Sequence, residues 1–233
     1  MGKPIYLDYN GTTPLDPEVV DAMKQFLEKD FGNPSSSHLY GIDPKLAVAG
    51  ARKQVASLIG CAPQEVIFTS GGTESNNFAI FGTTGFDDLS GKKVITSCIE
   101  HPAVIEPLRY LESRGLSVYH APVDLYGTVI FDMLESAIDD KTTLITVMHS
   151  NNEVGSIQPI EQISGVAKSR NVVFHTDASQ SLGKVPIDVG SLGVDMLTIA
   201  GHKLYAPKGI GALYVREGVE LKKLMYGAGQ EMG

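Results

Sequence analysis

The sequence predicts an α/β domain, a largely parallel sheet of seven strands with helices on both faces. Three observations carry that prediction. Short β-rich runs alternate with longer helical patterns along all 233 residues. Most of the short runs are continuously apolar, as strands are when both sheet faces are covered. The residues with unusual chemistry directly follow strands, where open α/β sheets gather their function.

The strands are expected at 66–70, 93–97, 116–121, 143–149, 172–177, 194–200 and 211–215. Helices are expected near 17–29, 44–60, 73–82, 102–114, 131–138 and 160–170. Asp16-Pro17 and Asp43-Pro44 each place a capping residue before a first-turn proline. Only about ten residues without a helix join the last two strands, which predicts an antiparallel edge strand. The segment before Asp16, with "NGTTPLDP", and the later "FGNPSSS" read as loop and turn.

An apolar fraction of 42% and a charged fraction of 20% suit a globular protein large enough to fold without disulfide or metal staples. Lysine and arginine total 19 against 27 acidic residues, a net charge of −8 that argues against nucleic acid or an anionic membrane as partner. No apolar run is long enough to span a bilayer. The start, "MGKPIYLDYN", shows no signal pattern and no myristoylation motif. Two cysteines, Cys61 and Cys98, fit a reducing compartment, and a cytoplasmic location is expected.

Four strand ends carry candidate chemistry. In "SGGTES", Gly71 and Gly72 form a strand-to-helix turn whose free N–H groups, with the Thr73 hydroxyl, suit an anion. The turn has no lysine for a P-loop and no third glycine for a dinucleotide fingerprint, and by itself it reads sooner as a plain capped helix start. Asp177, with Gln180 three residues on, is placed to hold a protonated ring nitrogen or to serve as an ordinary cap. His101 in "EHPAV" taken singly is a capping or core histidine. Lys203, in "TIAGHKLYAPKGIGALYV", ends an apolar run among small residues. A lysine kept dry in that way has a lowered pKa and forms Schiff bases. An anion cradle, an aspartate and an amine at three strand ends match the three needs of pyridoxal phosphate (PLP). No metal-ligand pattern stands out.

The chain resembles the PLP-dependent class V aminotransferase group, and within it the NifS/IscS-type cysteine desulfurases and selenocysteine lyases. The words that carry the resemblance are "YLDYNGTTPLDP", "FGNPSS", "IFTSGGTESNN", "EHPAV", "NNEVG", "HTDASQSLGK", "GHKLYAPKGIGALYV" and "GAGQE", in family order. The resemblance implies a fold type I large domain over 16–233, with 1–15 as an N-terminal segment reaching the active-site region. It implies that Lys203 bonds the cofactor and later moves the substrate Cα proton, and that His101 stacks on the ring and serves in acid–base steps. It gives Asp177 the pyridine nitrogen and Gln180 the phenolic oxygen. Thr73, His202 and the backbone at Gly72 receive the phosphate, and Asn152 lies near the substrate carboxylate and the cofactor oxygen. The implied reaction converts L-cysteine or L-selenocysteine to L-alanine plus sulfur or selenium. A homodimer, a sulfur or selenium acceptor protein and a place in iron–sulfur cluster assembly are implied with it.

Five positions depart from the family pattern. Gly11 stands where alanine is usual, Ala200 where IscS-like members often place a serine, and Ala206 where glycine is usual. Ala228 and Met232 replace a glycine and an arginine. Losing the serine hydroxyl removes a charge-assisted bond of about 1.5–3 kcal/mol, so weaker phosphate retention is expected. Family members also continue into a smaller C-terminal domain with the sulfur-accepting cysteine and a carboxylate-binding arginine. This sequence is expected to lack that domain, to carry the cofactor-binding part, and to be inactive or very weak unaided. A non-catalytic PLP-binding or partner-binding form is the alternative. Cys98, three residues before His101, reads as a packing residue rather than a substitute nucleophile.

Overall fold

The computed structural model describes residues 4–232. Residues 1–3 of the expected 1–15 segment, and residue 233 of the expected 16–233 domain, lie outside the described residues. The seven strands are β1 (Val66–Thr69), β2 (Lys93–Ser97), β3 (Ser117–Ala121), β4 (Thr142–Thr146), β5 (Val173–Asp177), β6 (Met196–Ala200) and β7 (Gly211–Val215). The helices are α1 (Pro17–Glu28), α2 (Ile42–Ile59), α3 (Gly72–Thr84), α4 (Pro102–Glu112), α5 (Phe131–Ser136), α6 (Ile160–Ser169) and the short α7 (Val189–Leu192).

These strands form one sheet in the order β1-β7-β6-β5-β4-β2-β3. β7 runs antiparallel to both neighbours, and the other pairs are parallel. The antiparallel strand is therefore not at the edge. The short connection from β6 fixes its direction but not its outer neighbour. Gly211–Tyr214 are buried, and β1 pairs along them, Val66 opposite Tyr214 and Thr69 opposite Gly211. β1 is the edge instead, and its outer side is covered. Arg52 and Glu231 form a bidentate pair at 2.6 and 2.7 Å; Glu231 accepts from Phe68 N at 2.7 Å, and Arg52 donates to Val66 O at 2.5 Å. Pairing the free backbone groups in this way blocks edge-to-edge association.

Strand alternation sends side chains to two cores. Leu144, Met196 and Leu213 pack on one face with Ile80 of α3 and Leu108 of α4. Ile145, Phe174 and Leu197 pack on the other with Ile59, Leu134, Ile163 and Leu192 from α2, α5, α6 and α7. Helix starts follow local chemistry in part. Asp16 caps α1 by accepting from Glu18 N at 2.8 Å. Asp43 is not a cap: α2 begins at Ile42, two residues before the expected 44, with Gly41 at its N-cap and Asp43 in the first turn. β4 stops at Thr146, short of the expected 149: beyond it Met148 N donates to the Glu100 carboxylate and Val147 O accepts from Thr176 Oγ1, in place of backbone partners.

Candidate active site

The site lies where β1, β2, β4, β5 and β6 end. Between β1 and α3 the chain turns at Gly71, whose φ of 155° is a conformation that side chains disfavour. At Gly72 a Cβ would come within 3.1 Å of Ser179 Oγ and 3.3 Å of Ala200 Cβ, so glycine alone fits without displacement. No side chain caps α3, and its first residues, Gly72 and Thr73, open onto a cavity of about 570 Å3. Uncapped first-turn N–H groups at a helix N-terminus favour an anion.

Asp177 ends β5 and is 6% exposed. Its carboxylate accepts from Asn76 Nδ2 at 2.7 Å and from Ser179 N at 2.9 Å. Asn76 Oδ1 is buried without a protein partner and Asn76 lines the same cavity. Two residues earlier, His175 bridges Thr146 at 2.8 Å and Thr198 at 3.0 Å. Burial pushes its pKa down to about 4, against the opposing pull of Asp177, so it is neutral beneath the site.

A 3₁₀ turn at Gly201–Lys203 follows β6 and is tied to the N-terminal segment. Thr13 donates from both N and Oγ1 to His202 O at 3.0 and 2.9 Å, and Tyr205 N donates to Thr13 Oγ1 at 2.9 Å. His202 Nδ1 meets Thr12 Oγ1 at 3.1 Å. Lys203 Nζ donates to the carbonyls of Asn10 and Gly11, the latter at 3.0 Å. Burial lowers the Lys203 pKa, Lys184 lowers it further, and Asp8 and Asp177 act in the opposite direction.

Gln180 donates to the same Asn10 carbonyl at 3.0 Å and accepts from Lys184 Nζ at 2.8 Å. His101 is the N-cap of α4: its Nδ1 accepts from Ala103 N at 3.0 Å, which puts the proton of the neutral ring on Nε2. The capping histidine thus also lines the cavity. Asn152 lines it as well, with its amide donating to Glu153 at 2.9 Å. Every residue expected in the site lines this one cavity.

Sequence reasoning missed Asp8, Asn10 and Asn76, which line the cavity, and Glu100, which lies just behind it. Asp8 and Asn10 stand in the quoted word "YLDYNG" without an assigned role. Glu100 accepts from Ser97 Oγ at 2.5 Å and from Met148 N at 2.9 Å, joining the turn before His101 to the loop after β4. Burial raises its pKa to about 8 against the lowering effect of those bonds. Neither cysteine lines the cavity: Cys98 is exposed, and burial with the nearby Glu65 pushes the Cys61 thiol up to about 11. Among the described residues no cluster of three or more His, Cys, Asp or Glu side chains suits a metal, and no helix is long and apolar enough to cross a membrane.

The sequence matches the Aminotransferase class-V family over residues 5–232. The chain belongs to that family. It is a homologue of IscS/NifS-type cysteine desulfurases, and the family depends on PLP. Cysteine desulfurase IscS of Dictyoglomus turgidum is 49% identical over 231 residues, covering 99% of this chain and 59% of that protein. A solved NifS-like protein superposes with a TM-score of 0.94 at 40% identity, covering 98% of this chain and 63% of that one. A structure described as SspA in complex with cysteine gives 0.94 at 44%, covering 98% and 66%. The chain spans between about half and two-thirds of the length of the relatives it matches. The fold is the large domain of these PLP fold type I structures, with a mostly parallel seven-stranded sheet.

Proposed function

We propose that this chain is the PLP-binding part of a cysteine desulfurase or selenocysteine lyase. The observation that carries it is one cavity bounded by an uncapped helix N-terminus, a buried carboxylate and a lysine of lowered pKa. The donor set fits the cofactor: a glycine cradle for phosphate, a carboxylate for a protonated ring nitrogen, and an amine whose pKa burial lowers. The volume of about 570 Å3 also lies in the usual range for small-ligand cavities.

PLP, when bound, supplies an electron sink for the pair left at the substrate Cα. Gly72, Thr73 and His202 would hold its phosphate. Asp177, braced by Asn76 and Ser179 N, would face the ring nitrogen and favour its protonated form. Gln180 would donate to the phenolic oxygen, and Asn152 would orient the substrate carboxylate. Lys203 would hold the cofactor through its amine and would move the Cα proton, and His101 would line the ring's side of the cavity with Nε2 free to exchange a proton. The structure described with cysteine bound supports cysteine as the substrate class, and selenocysteine presents the same backbone groups. A homodimer, a sulfur or selenium acceptor and a place in iron–sulfur cluster assembly belong to this proposal, as does a cytoplasmic setting. The domain reading, 1–15 as a segment reaching the site and 16–233 as the large domain, belongs to it too.

The second reading, a non-catalytic PLP-binding or partner-binding form, draws on one observation: no thiol lines the cavity to take sulfur as persulfide. On that basis residues 1–233 by themselves are expected to release sulfide from cysteine very slowly. Adding PLP and looking for a visible absorption band that borohydride abolishes tests the cofactor assignment. The expected result is a reduced adduct on the peptide containing Lys203. An adduct elsewhere, or none, overturns it.

A further inference from the structure

Lys184 is outside the cavity lining and has no part in the roles above. It sits four residues after Gln180 in the turn segment that follows β5, and its ammonium donates to Gln180 Oε1 at 2.8 Å. Gln180 Nε2 then donates to Asn10 O, the carbonyl that also receives Lys203 Nζ. A lysine has donors and no acceptor, so only the amide oxygen of Gln180 can face it. The amide nitrogen is thereby turned toward the cavity side. Asn10 O favours the same orientation from the N-terminal segment, and Lys184 fixes it from the turn segment after β5. We propose that Lys184 is a positioning residue: its ammonium orients the Gln180 amide toward Asn10 O and stands, as a second positive charge, at the far end of the Gln180–Asn10 relay from the Lys203 amine.

The charges around Lys203 are few. Asp8 and Asp177 favour its ammonium form, and Lys184 with burial opposes it. His202, beside it in the 3₁₀ turn, is lowered by burial, with Lys203, Lys208 and His101 adding to the effect, and so it is neutral at physiological pH. Lys184 is thus the cation that acts against the two carboxylates. A like charge close to an amine shifts its titration by up to about one unit at a partly solvated site.

The inference rests on the assignment of Lys203 as the cofactor lysine for its meaning, but its test needs no cofactor. Cofactor-free protein would be acylated with limiting acetic anhydride across a pH series, and the Lys203 peptide quantified by mass spectrometry. In Lys184→Met and Lys184→Gln, the acylation rate of Lys203 at pH 8 should fall roughly two- to tenfold. Lys184→Arg should restore it. A loss of fold would not mimic this result, because Lys184 is exposed and circular dichroism would check each variant. Unchanged Lys203 titration in both neutral variants, or equal loss in Lys184→Arg, overturns the inference. A shifted titration in a protein that takes up no PLP would sink the functional proposal while leaving this one standing.

Discussion

Asp177 and Lys203 line the same cavity but are supported differently. Asp177 ends a strand that is buried almost throughout, with Phe174 and His175 beneath it. The Lys203 amine is held by the carbonyls of Asn10 and Gly11, in an N-terminal segment that contributes little to either core. The helix after that segment, α1, buries none of its residues, and Leu27 and Phe31 are each 73% exposed. Sheet-borne parts of the site therefore share the stability of the fold. The N-terminal segment depends on a small set of hydrogen bonds, so its side chains can change site chemistry without unfolding the protein.

The contrast breaks first in the core. Phe174 is 1% exposed, and Phe174→Ala should cost about 3–5 kcal/mol by lost burial and an unfilled cavity. Leu27→Ala on α1 should stay within about 0.5 kcal/mol. Urea denaturation of both variants checks this, and similar losses would show that α1 is part of the cooperative core. Thr13 is the exception on the N-terminal side, being 3% exposed and linking His202 O to Tyr205 N through one hydroxyl. Thr13→Val leaves Tyr205 N unpaired and removes one of the two donors to His202 O, and should cost about 1–3 kcal/mol. A smaller loss in the same denaturation experiment would show that the two backbone bonds of Thr13 and Asp16 suffice to hold the segment.

The sequence showed the sheet side of this contrast better than the other. Most of the strands are visible as apolar runs because both faces of the sheet are covered, whereas the edge strand β3 is half exposed. Their ends are less visible, as with β4, where a buried run continues into site loops. The position of β7 is not legible, since its second partner, β1, lies about 150 residues away and hairpin logic reaches only the local neighbour. Strand ends disclosed Asp177 and Lys203 because unusual residues stood beside glycines. The backbone carbonyls of Asn10 and Gly11 carry no side-chain signature, so nothing could disclose them. Asn76 and Glu100 act through contacts across loops, and a helical "ESNN" or a lone acid before a histidine does not report such contacts.

A pH series sharpens the comparison on the sheet side. The Glu100 pKa is raised from 4.5 to about 8, so the folded protein keeps a proton that the unfolded chain releases over that range. Stability should fall as pH rises there, at up to about 1.4 kcal/mol per unit. His175 has the opposite sign: its pKa is lowered from 6.5 to about 4, and stability should rise with pH across that window. The two contributions offset between pH 4.5 and 6.5, leaving Glu100 to act without opposition from 6.5 to 8. Glu100→Gln should flatten that upper limb, since an amide still accepts from Met148 N and can donate to Ser97 Oγ. Thermal melts across pH 6.5 to 8 decide this, and an unchanged slope in the variant would remove Glu100 as its source.

The smallest effect on stability is expected at Gly11. A Cβ there would meet Asp8 Oδ2 at 2.3 Å, a contact with the free end of a side chain that can rotate away. Gly11→Ala should therefore cost less than about 1 kcal/mol, chiefly through loss of the 2.9 Å bond from Gly11 N to Asp8 Oδ1. The chemical effect should be the larger one. Asp8 favours the ammonium form of Lys203, so moving its carboxylate away should lower the Lys203 pKa further. The acylation series on cofactor-free Gly11→Ala should then show Lys203 reacting faster at pH 8 than in the unaltered protein. Slower reaction, or a loss of several kcal/mol, would mean that the segment is rigid at this point and that Asp8 cannot turn aside. Such a result would erase the distinction between the two supports of the site, because a single methyl group on the N-terminal side would then act as a core substitution does.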